Sequence, residues 1–252
     1  MPPRHPSAAI VIPAHNAAKT LDRTLTSATA SLRAYTKPLD AEIIVVDDAS
    51  HDATAQIAQA HDGVRLIRLD QNRGAGFARN EGVRQSTAAF LFFLDADDVF
   101  YDNHITTCLD ALLADDSLGY VYTRVRMDMP IHPDWQLSMD ESCPINFCVR
   151  RVWHDMILGF PEEADFRIHG TEDTLYRKCL RDLVKHAKRD ALTCEQFVSP
   201  GNALDRQRAK LAMSMAAWKT SGVDDGFVMT ETMKQAAMDR LMRVAKLKGE
   251  VR

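Results

Sequence analysis

The chain has 252 residues and a formal net charge of −4 at pH 7, with 46% hydrophobic and 26% charged residues. This composition is typical of a folded chain with one large α/β domain, or with a domain and an appendage, and it excludes global disorder. It lacks the basic excess of a nucleic-acid-binding protein, and no apolar run is long enough to span a membrane.

The five cysteines form no C-x-x-C pair, and their odd number favours buried, reduced thiols in a cytoplasmic protein. The segment 1–7 has no apolar core, so we expect no secretory signal peptide there. Association with a membrane surface, through a partner or an amphipathic helix, stays open.

Apolar runs alternate with amphipathic stretches over the first 125 residues. Strands are predicted at 8–12, 42–46, 64–69, 88–94 and 120–125, and helices at 17–35, 52–60, 76–84 and 103–114. Each predicted strand is almost continuously apolar. The pattern therefore predicts an α/β fold with a mostly parallel sheet, covered by helices on both faces.

The pattern changes after residue 128. Prolines at 130, 133 and 144 interrupt a polar stretch, and we interpret 128–143 as a loop or lid. Further helices are predicted at 151–158, 172–184, 203–217 and 230–247. Apolar residues at helical spacing in the last two are Leu211, Met215, Trp218, Met238, Leu241, Met242 and Ala245. We favour packing of these stripes against the main domain over a homodimer surface, and a membrane surface is the weakest alternative.

Asp95, Asp97 and Asp98 follow a predicted apolar strand. Ligands of open α/β sheets bind at the carboxyl ends of strands. Three carboxylates within four residues repel one another by about 1–4 kcal/mol at a few ångströms. Mg²⁺ or Mn²⁺ would neutralise them, since both prefer oxygen ligands. A solvated turn with a helix cap is an equally good interpretation of this turn alone.

Acidic residues also end the second predicted strand, at Asp47 and Asp48. Their carboxylates could accept hydrogen bonds from a nucleobase or a ribose. Helix capping by Ser50 or Asp52 is the alternative for this stretch. We interpret Asp52 as a cap, and Asp47 and Asp48 as the functional candidates.

A segment rich in small residues, 72–82, follows the third predicted strand and opens a helix. Its backbone N–H groups could approach a diphosphate, with Arg73 or Arg79 adding charge. A dehydrogenase is disfavoured, because Arg79 stands where a dinucleotide-binding fingerprint needs its third glycine.

Glu172 and Asp173 open another predicted helix, and one of them could act as a general base. A favourable interaction with the helix dipole, typically about 0.3–1 kcal/mol, is the better explanation of this dipeptide taken alone. The same dipole should keep Asp173 ionised at neutral pH.

Taken together, five segments resemble the family 2 glycosyltransferases, which have the GT-A fold. They are Val11-Ile12-Pro13-Ala14-His15-Asn16, the stretch 46–54 with alanine at 49 where the family has glycine, 72–82, Leu94-Asp95-Ala96-Asp97-Asp98, and Gly159-Phe160 with Glu172-Asp173, Leu175 and Arg177. The resemblance covers roughly residues 8–185. It predicts a Rossmann-like donor-binding half at 1–125, an acceptor-binding and catalytic half at 126–200, and a C-terminal helical extension at 201–252.

The resemblance implies transfer of a sugar from a nucleotide-sugar, most often a UDP-sugar, to an acceptor that the sequence does not identify. The implied donor-binding residues are Pro13, Ala14, Asn16, Asp47 or Asp48, Asn72, Gly74, Arg79, Asp95 at the ribose, and Ala96. Asp97 would hold Mn²⁺ or Mg²⁺. Asp173 would be the base, with Glu172 beside it, and inversion at the anomeric carbon would follow.

The sequence departs from the family pattern after the acidic pair. No arginine or histidine directly precedes the segment 199–203, so the phosphate-binding cation is unassigned, and His186, Lys188 and Arg206 are candidates. A nucleotidyltransferase would need a glycine-rich basic loop after the first strand, which 13–16 is not. A non-catalytic sugar-nucleotide-binding protein is the other alternative, against which Asp97 and Asp173 argue.

Overall fold

The computed structural model describes residues 5–199, 202–222 and 228–250. Strands and helices alternate in the first half. They are β1 (Ser7–Ala14), α1 (Leu21–Ala34), β2 (Asp40–Asp47), α2 (Thr54–Ala60), β3 (Val64–Arg68), α3 (Ala75–Arg84), β4 (Phe90–Phe93), β5 (Val99–Phe100), α4 (His104–Ala114) and β6 (Tyr120–Met127). The predicted alternation is confirmed, and the two-residue strand β5 is an addition to it.

The second half is richer in helices. It contains a one-turn 3₁₀ helix (Pro133–Trp135), α5 (Gln136–Ser142), β7 (Phe147–Arg150), α6 (Arg151–Met156), α7 (Ala164–His169), α8 (Glu172–Leu183), β8 (His186–Gln196), α9 (Ala203–Leu211), α10 (Met215–Ser221) and α11 (Glu231–Glu250). The interpretation of 128–143 as a loop holds for 128–132 but was wrong for 133–142, because Pro133 stands in the first turn of a helical segment, where proline is tolerated.

The predicted helix 203–217 is two helices, α9 and α10. The break occurs at Ser214, whose backbone is extended and whose hydroxyl accepts the backbone N–H of Ala217 at 3.1 Å. Serine is a preferred N-cap residue, so it begins a new helix where the apolar periodicity alone predicts continuation.

The eight strands of the described residues form one sheet, in the order β3-β2-β1-β4-β7-β6-β8-β5. Strand β1 pairs in parallel with β2 and β4, β2 with β3, and β6 with β8, whereas β7 runs antiparallel to β4 and β6, and β5 to β8. The mostly parallel sheet is confirmed. Because β1, β2 and β4 are parallel, the residues that follow them meet at one edge of the sheet.

The sheet separates two apolar layers. Alternate residues of β1 face opposite sides, with Ile10 packed among residues of α1 and α4, and Val11 among residues of α3 and α8. Each fully buried aliphatic side chain contributes about 1.5–3 kcal/mol. Gly82 lets α3 approach the sheet closely, because a Cβ atom there would lie 2.4 Å from Val11 Cγ1.

Helix α11 packs on α8 through Met233, Ala236 and Val244. The predicted packing stripe on this helix was wrong in part: Leu241 packs against this cluster, but Met238 and Met242 are 56% and 59% exposed. Several faces of this helix carry apolar residues, so periodicity alone does not select the buried face. The other predicted stripe does pack on the main domain, since Leu211 is buried and Trp218 is partly buried in the core.

All five cysteines are buried and unpaired, as predicted. The predicted boundary between the two halves falls inside β6, within a continuous sheet, and the division into halves stays a prediction. Within the described ranges, no helix combines the length and apolar character that crossing a bilayer requires.

Candidate active site

A cavity of about 1440 Å³ opens at the carboxyl ends of β1 and β4. Ligand pockets typically measure about 300–1,000 Å³, so this space has room for two substrates. The predicted site residues that line it are Pro13, Asn16, Gly74, Arg79, Asp95, Ala96, Asp97, Glu172 and Asp173. Those that do not line it are Ala14, Asp47, Asp48 and Asn72.

The carboxylate of Asp48 is 3% exposed and binds the loop before α3. One oxygen accepts the backbone N–H of Arg73 and the other that of Gly74, both at 2.7 Å. Asp47 is also buried, and it accepts the backbone N–H of Ser50 at 3.0 Å. Both carboxylates therefore fix the backbone of loops near the cavity without lining the cavity themselves.

Asn16 and His15 form a fixed pair at the end of β1. The Asn16 backbone has a φ of 50°, and its side-chain oxygen accepts the His51 N–H at 2.9 Å. Its amide nitrogen lies 2.9 Å from His15 Nε2, and His15 Nδ1 lies 2.7 Å from the Asp48 carbonyl oxygen. Both ring nitrogens of His15 thus have protein partners, while the residue remains exposed beside the cavity.

Asp52 does not occupy the N-cap position of α2, which begins after Ala53. Its carboxylate nevertheless accepts the backbone N–H of Thr54 at 3.0 Å, and also that of Ala18 at 3.0 Å. Burial raises the pKa of Asp52, but hydrogen bonds from the Thr54 hydroxyl and from these two backbone N–H groups outweigh it, so the pKa is lowered. The side chain ties the start of α2 to the loop that follows β1.

Arg79 lies between the two acidic segments and is 3% exposed. Its Nη2 donates to Asp95 at 2.5 Å, and its Nη1 donates to Glu172 at 2.9 Å. Both acids hold the pKa of Arg79 above its ordinary value despite the burial. The guanidinium therefore joins the end of β4 to the start of α8.

Two further acids lie in the turn after β4. Burial raises the pKa of Asp97, and the neighbouring charge of Asp95 raises it further. Asp98 is 2% exposed and accepts the backbone N–H of Phe197 at 2.8 Å. Burial, and then the charges of Asp97 and Asp95, raise the pKa of Asp98 well above its usual range. Both acids line the cavity, but Asp98 is almost fully buried and holds the backbone at the end of β8, whereas Asp97 is more exposed to the cavity.

Asn202 lies next to Asp97 and connects it to the C-terminal extension. Its amide nitrogen donates to Asp97 Oδ2 at 3.3 Å, and its side-chain oxygen accepts the Asp205 N–H at the start of α9. Two residues of the segment 199–203, Pro200 and Gly201, lie outside the described residues.

Asp173 stands in the first turn of α8, after Gly170 and Thr171, which both have positive φ. Burial raises its pKa to about 7, and the charge of Glu172 adds to the shift, while Arg79 opposes it. The expectation that the helix dipole keeps this carboxylate fully ionised was therefore wrong. Burial and a like charge outweigh a dipole effect of about 1 kcal/mol.

Two of the three candidate phosphate-binding cations are remote from the cavity. Lys188 pairs with buried Asp140 at 3.0 Å, and His186 stacks on Tyr120 with ring centroids 4.7 Å apart. Arg206 on α9 does line the cavity. Its Nη2 would lie 4.0 Å from a Cβ atom placed on Gly170, two residues before α8 begins.

One wall of the cavity consists of residues that the sequence does not single out as site residues. Trp135 from the 3₁₀ helix, Lys210 from α9 and Trp218 from α10 all line it. Helix α5, from the segment interpreted as a loop, contributes Ser138 and Met139. Trp218 belonged to an apolar stripe that predicted only packing, and no motif marks the other residues. Only the tertiary structure brings them to the cavity.

The comparisons with known proteins agree with this architecture. Residues 9–164 match the sequence model of the family described as Glycosyl transferase family 2. The succinoglycan biosynthesis protein ExoU of Rhizobium meliloti is 35% identical over 116 residues, which are 44% of this chain and 31% of that protein. The chain thus spans about a third of the length of this relative.

Solved structures share the fold at low sequence identity. TarS 1–349 of S. aureus in complex with UDP-GlcNAc superposes with a TM-score of 0.65 at 18% identity, over 94% of this chain and 72% of that one. The mannosyltransferase PcManGT from Pyrobaculum calidifontis, in complex with GDP-Man and Mn²⁺, gives 0.61 at 18% identity, over 98% and 75%. The predicted GT-A fold is confirmed.

Proposed function

The chain belongs to glycosyl transferase family 2, and on that premise we propose that it transfers a sugar from a nucleotide-sugar donor to an acceptor hydroxyl, with inversion and with a divalent cation. The observation that carries the proposal is the convergence of Asp95, Asp97 and Asp173 on one cavity. Asp173 lies more than seventy residues after Asp95 and Asp97 in the sequence, and Arg79 joins Asp95 to Glu172, the neighbour of Asp173.

The donor nucleotide occupies the end of the cavity between β1 and α3. Pro13, Asn16 and Gly74 line that end. With both oxygens of Asp48 bound to the Arg73 and Gly74 N–H groups, Asp48 acts by fixing this loop. A UDP-sugar is the first donor to test, which the UDP-GlcNAc bound by TarS supports, and the GDP-Man bound by PcManGT makes a GDP-sugar the second.

The acidic turn fits a hard divalent cation. Among the described residues, no group of three or more His, Cys, Asp and Glu side chains forms a ready metal cage. Mg²⁺ and the chemically similar Mn²⁺ do not need one, since they are commonly held by one or two carboxylates together with substrate phosphates. Asp97, with Asp95 beside it, supplies such carboxylates. A cation bound there would offset the charge of the departing nucleoside diphosphate.

Asp173 takes the proton from the acceptor hydroxyl. The acceptor oxygen forms its bond to the anomeric carbon while the bond from that carbon to the diphosphate oxygen breaks. The proton passes to the Asp173 carboxylate, and the nucleoside diphosphate leaves with the electron pair. A pKa of about 7 suits this role, because the base is then substantially ionised at neutral pH and still basic.

A donor screen tests the proposal. We expect Mn²⁺-dependent thermal stabilisation by UDP-glucose, UDP-galactose, UDP-GlcNAc or GDP-mannose. A ligand at about 100 times its Kd adds about 2.7 kcal/mol, or roughly 5–10 °C for a chain of this size. No shift with any of these donors would refute the nucleotide-sugar site. A shift without hydrolysis or transfer would identify the chain as the non-catalytic binding protein.

The two acids of α8 separate catalysis from binding. Asp173→Asn keeps the side-chain shape and removes the charge, so we expect donor and metal affinity to persist while kcat falls by about 10²–10⁴-fold. The matched variant Glu172→Gln should be milder in kcat, because Glu172 pairs with Arg79. The reverse result would exchange the two roles, and activity in both variants would place the base elsewhere.

A further inference from the structure

The turn between α6 and α7 has a backbone conformation that needs support. Leu158 and Gly159 have φ values of 66° and 62°, in the left-handed region. Glycine adopts this region freely, but a leucine there is strained. A strained backbone persists only where the surrounding structure holds it. The turn 157–160 therefore depends on contacts from other parts of the chain.

Arg240 on α11 supplies such contacts. Its Nη1 donates to the carbonyl oxygens of Ile157 and Gly159 at 3.0 and 2.8 Å, and its Nη2 donates to that of Phe160 at 3.2 Å. Burial lowers the pKa of this guanidinium. The planar fork of an arginine can reach several oxygens at once, so one side chain of the C-terminal helix holds the whole turn.

The same turn is also bound by Asn80 of α3, which is 4% exposed. The side-chain oxygen of Asn80 accepts the Phe160 N–H at 2.9 Å, and its amide nitrogen donates to the Phe160 carbonyl at 2.9 Å. The carbonyl of Phe160 thus accepts hydrogen bonds from both α3 and α11. These bonds fix the backbone from which the Phe160 ring projects.

The Phe160 ring connects the turn to the acidic residues of the cavity. It is fully buried, its centroid lies 5.0 Å from Arg79 Cζ, and it stacks on Tyr176 with ring centroids 3.9 Å apart. Arg79 pairs with Glu172, and Tyr176 lies three residues after Asp173 on α8. The ring therefore contacts both the guanidinium and the helix that place Asp173.

Close packing beside the cavity leaves the turn little room to shift. A Cβ atom on Gly76 would lie 2.4 Å from the Pro161 carbonyl oxygen and 3.3 Å from Glu172 Cγ. Gly76 itself lines the cavity. The chain that follows the turn thus packs directly on the start of α3, next to Glu172, and a displacement of the turn would reach the site.

We propose that Arg240 is a positioning residue of the active site, which fixes the turn 157–160 and, through the Phe160 ring, the Arg79 guanidinium and the start of α8. The inference rests on the proposed transferase function. Helix α11 lies beyond residues 9–164, which match the family model. It is nevertheless part of the catalytic unit, because it holds the helix that carries the base.

Steady-state kinetics of Arg240→Gln and Arg243→Gln test this role. Arg243 is the matched control, because it stands on the same helix and donates to the Met156 carbonyl at 2.6 Å, outside the turn. We expect Arg240→Gln to lower kcat about tenfold or more and to leave the KM of the donor within about threefold, since it displaces catalytic groups and spares the nucleotide end. Arg243→Gln should keep kcat within about twofold.

Thermal unfolding ensures that each variant is assayed well below its Tm, so that unfolding does not lower kcat. Arg240→Lys keeps the charge and replaces the fork with one ammonium, so its kcat should lie between those of the wild type and Arg240→Gln. The lysine variant takes the place of the glutamine variant if the latter does not fold. Equal kcat in the Arg240 and Arg243 variants would overturn the proposal.

A double-mutant cycle in urea unfolding tests the link without donor or metal. If Arg240 acts on Arg79, the double variant of Arg79→Gln and Arg240→Gln should lose less stability than the sum of the single losses, by at least about threefold in the unfolding equilibrium constant. Arg79→Gln with Arg243→Gln should be additive. An additive cycle for Arg240 overturns the inference. A coupled cycle in a chain with no transfer activity would support the link and count against the proposed function alone.

Discussion

Replacing Arg79 tests whether its ion pairs with the two acidic segments stabilise the folded protein. Arg79→Gln removes a 3%-exposed guanidinium and leaves Asp95 and Glu172 without their shared partner. Breaking a fully buried pair in this way costs about 3–5 kcal/mol. The two acid side chains are 24% and 14% exposed and can hydrate in part, so we expect a loss of about 2–3 kcal/mol.

The same helix provides a matched control. Arg84 also bridges two carboxylates, Glu81 at 2.9 Å and Glu162 at 2.8 Å, but its side chain is 47% exposed. Arg84→Gln should therefore cost less than about 1 kcal/mol, as exposed ion pairs do. The two variants differ in burial while the chemical change is the same.

Urea unfolding of both variants without metal measures the loss of unfolding free energy, and thermal unfolding measures the change in Tm. For a chain of this size, 1 kcal/mol corresponds to about 2–4 °C in Tm, so Arg79→Gln should melt roughly 4–12 °C below the wild type and Arg84→Gln within about 4 °C of it. Equal losses for the two variants would refute the reasoning from burial. Arg79→Lys should fall between, because one ammonium replaces the planar fork that reaches both acids.

The remaining predictions concern the acids of the cavity. Asp97→Asn should lower kcat at least a hundredfold and abolish the Mn²⁺-dependent stabilisation by donor. The Tm should stay unchanged or rise, because burial raises the pKa of this carboxyl and its charge is unfavourable at neutral pH. Wild-type activity that excess EDTA does not affect would contradict this prediction. Asp48→Ala should lower the free energy of unfolding in urea by about 1–3 kcal/mol and weaken UDP binding in calorimetry, because two backbone N–H groups lose their acceptor. Unchanged affinity for UDP would show that the loop keeps its conformation without this carboxylate. With a pKa raised to about 7, Asp173 is protonated and inactive as a base below that pH, so kcat/KM should rise with pH and level off above about 7; a flat profile between about pH 5.5 and 8 would assign the base elsewhere.

The sequence predicts the first half of the fold well because parallel strands that are buried on both faces are continuously apolar. Strand β8 escapes this rule, since only Thr193 and Cys194 are buried among its residues 186–196, and four charged residues or histidines precede Leu192. Strand β7 has only four residues and pairs antiparallel to β4. Short antiparallel strands are difficult to distinguish from loops by periodicity alone.

For the site, too, the sequence predicts local features but not contacts between distant segments. The acids at strand ends are predictable, because the ends of parallel strands meet at one edge of a sheet. The partners of those acids are not. Arg79 looks like a diphosphate-binding residue in sequence, but its two hydrogen bonds reach Asp95, 16 positions away, and Glu172, 93 positions away. Trp135 and Trp218 meet at the cavity wall from positions 83 residues apart, and neither belongs to a motif.

The charge of the cavity explains why its acids are poorly satisfied. Asp95, Asp97, Glu172 and Asp173 line it together, and Arg79 is the cation bonded directly to two of them. The raised pKa values of Asp97 and Asp173 show that the protein alone does not stabilise these negative charges. A site selected only for stability would replace them with neutral residues, because burying like charges is costly. The proposed donor diphosphate would be repelled by these acids in the absence of a cation. We therefore expect the affinity for the donor to rise when a cation is bound, and the affinity for the cation to rise by the same factor when the donor is bound.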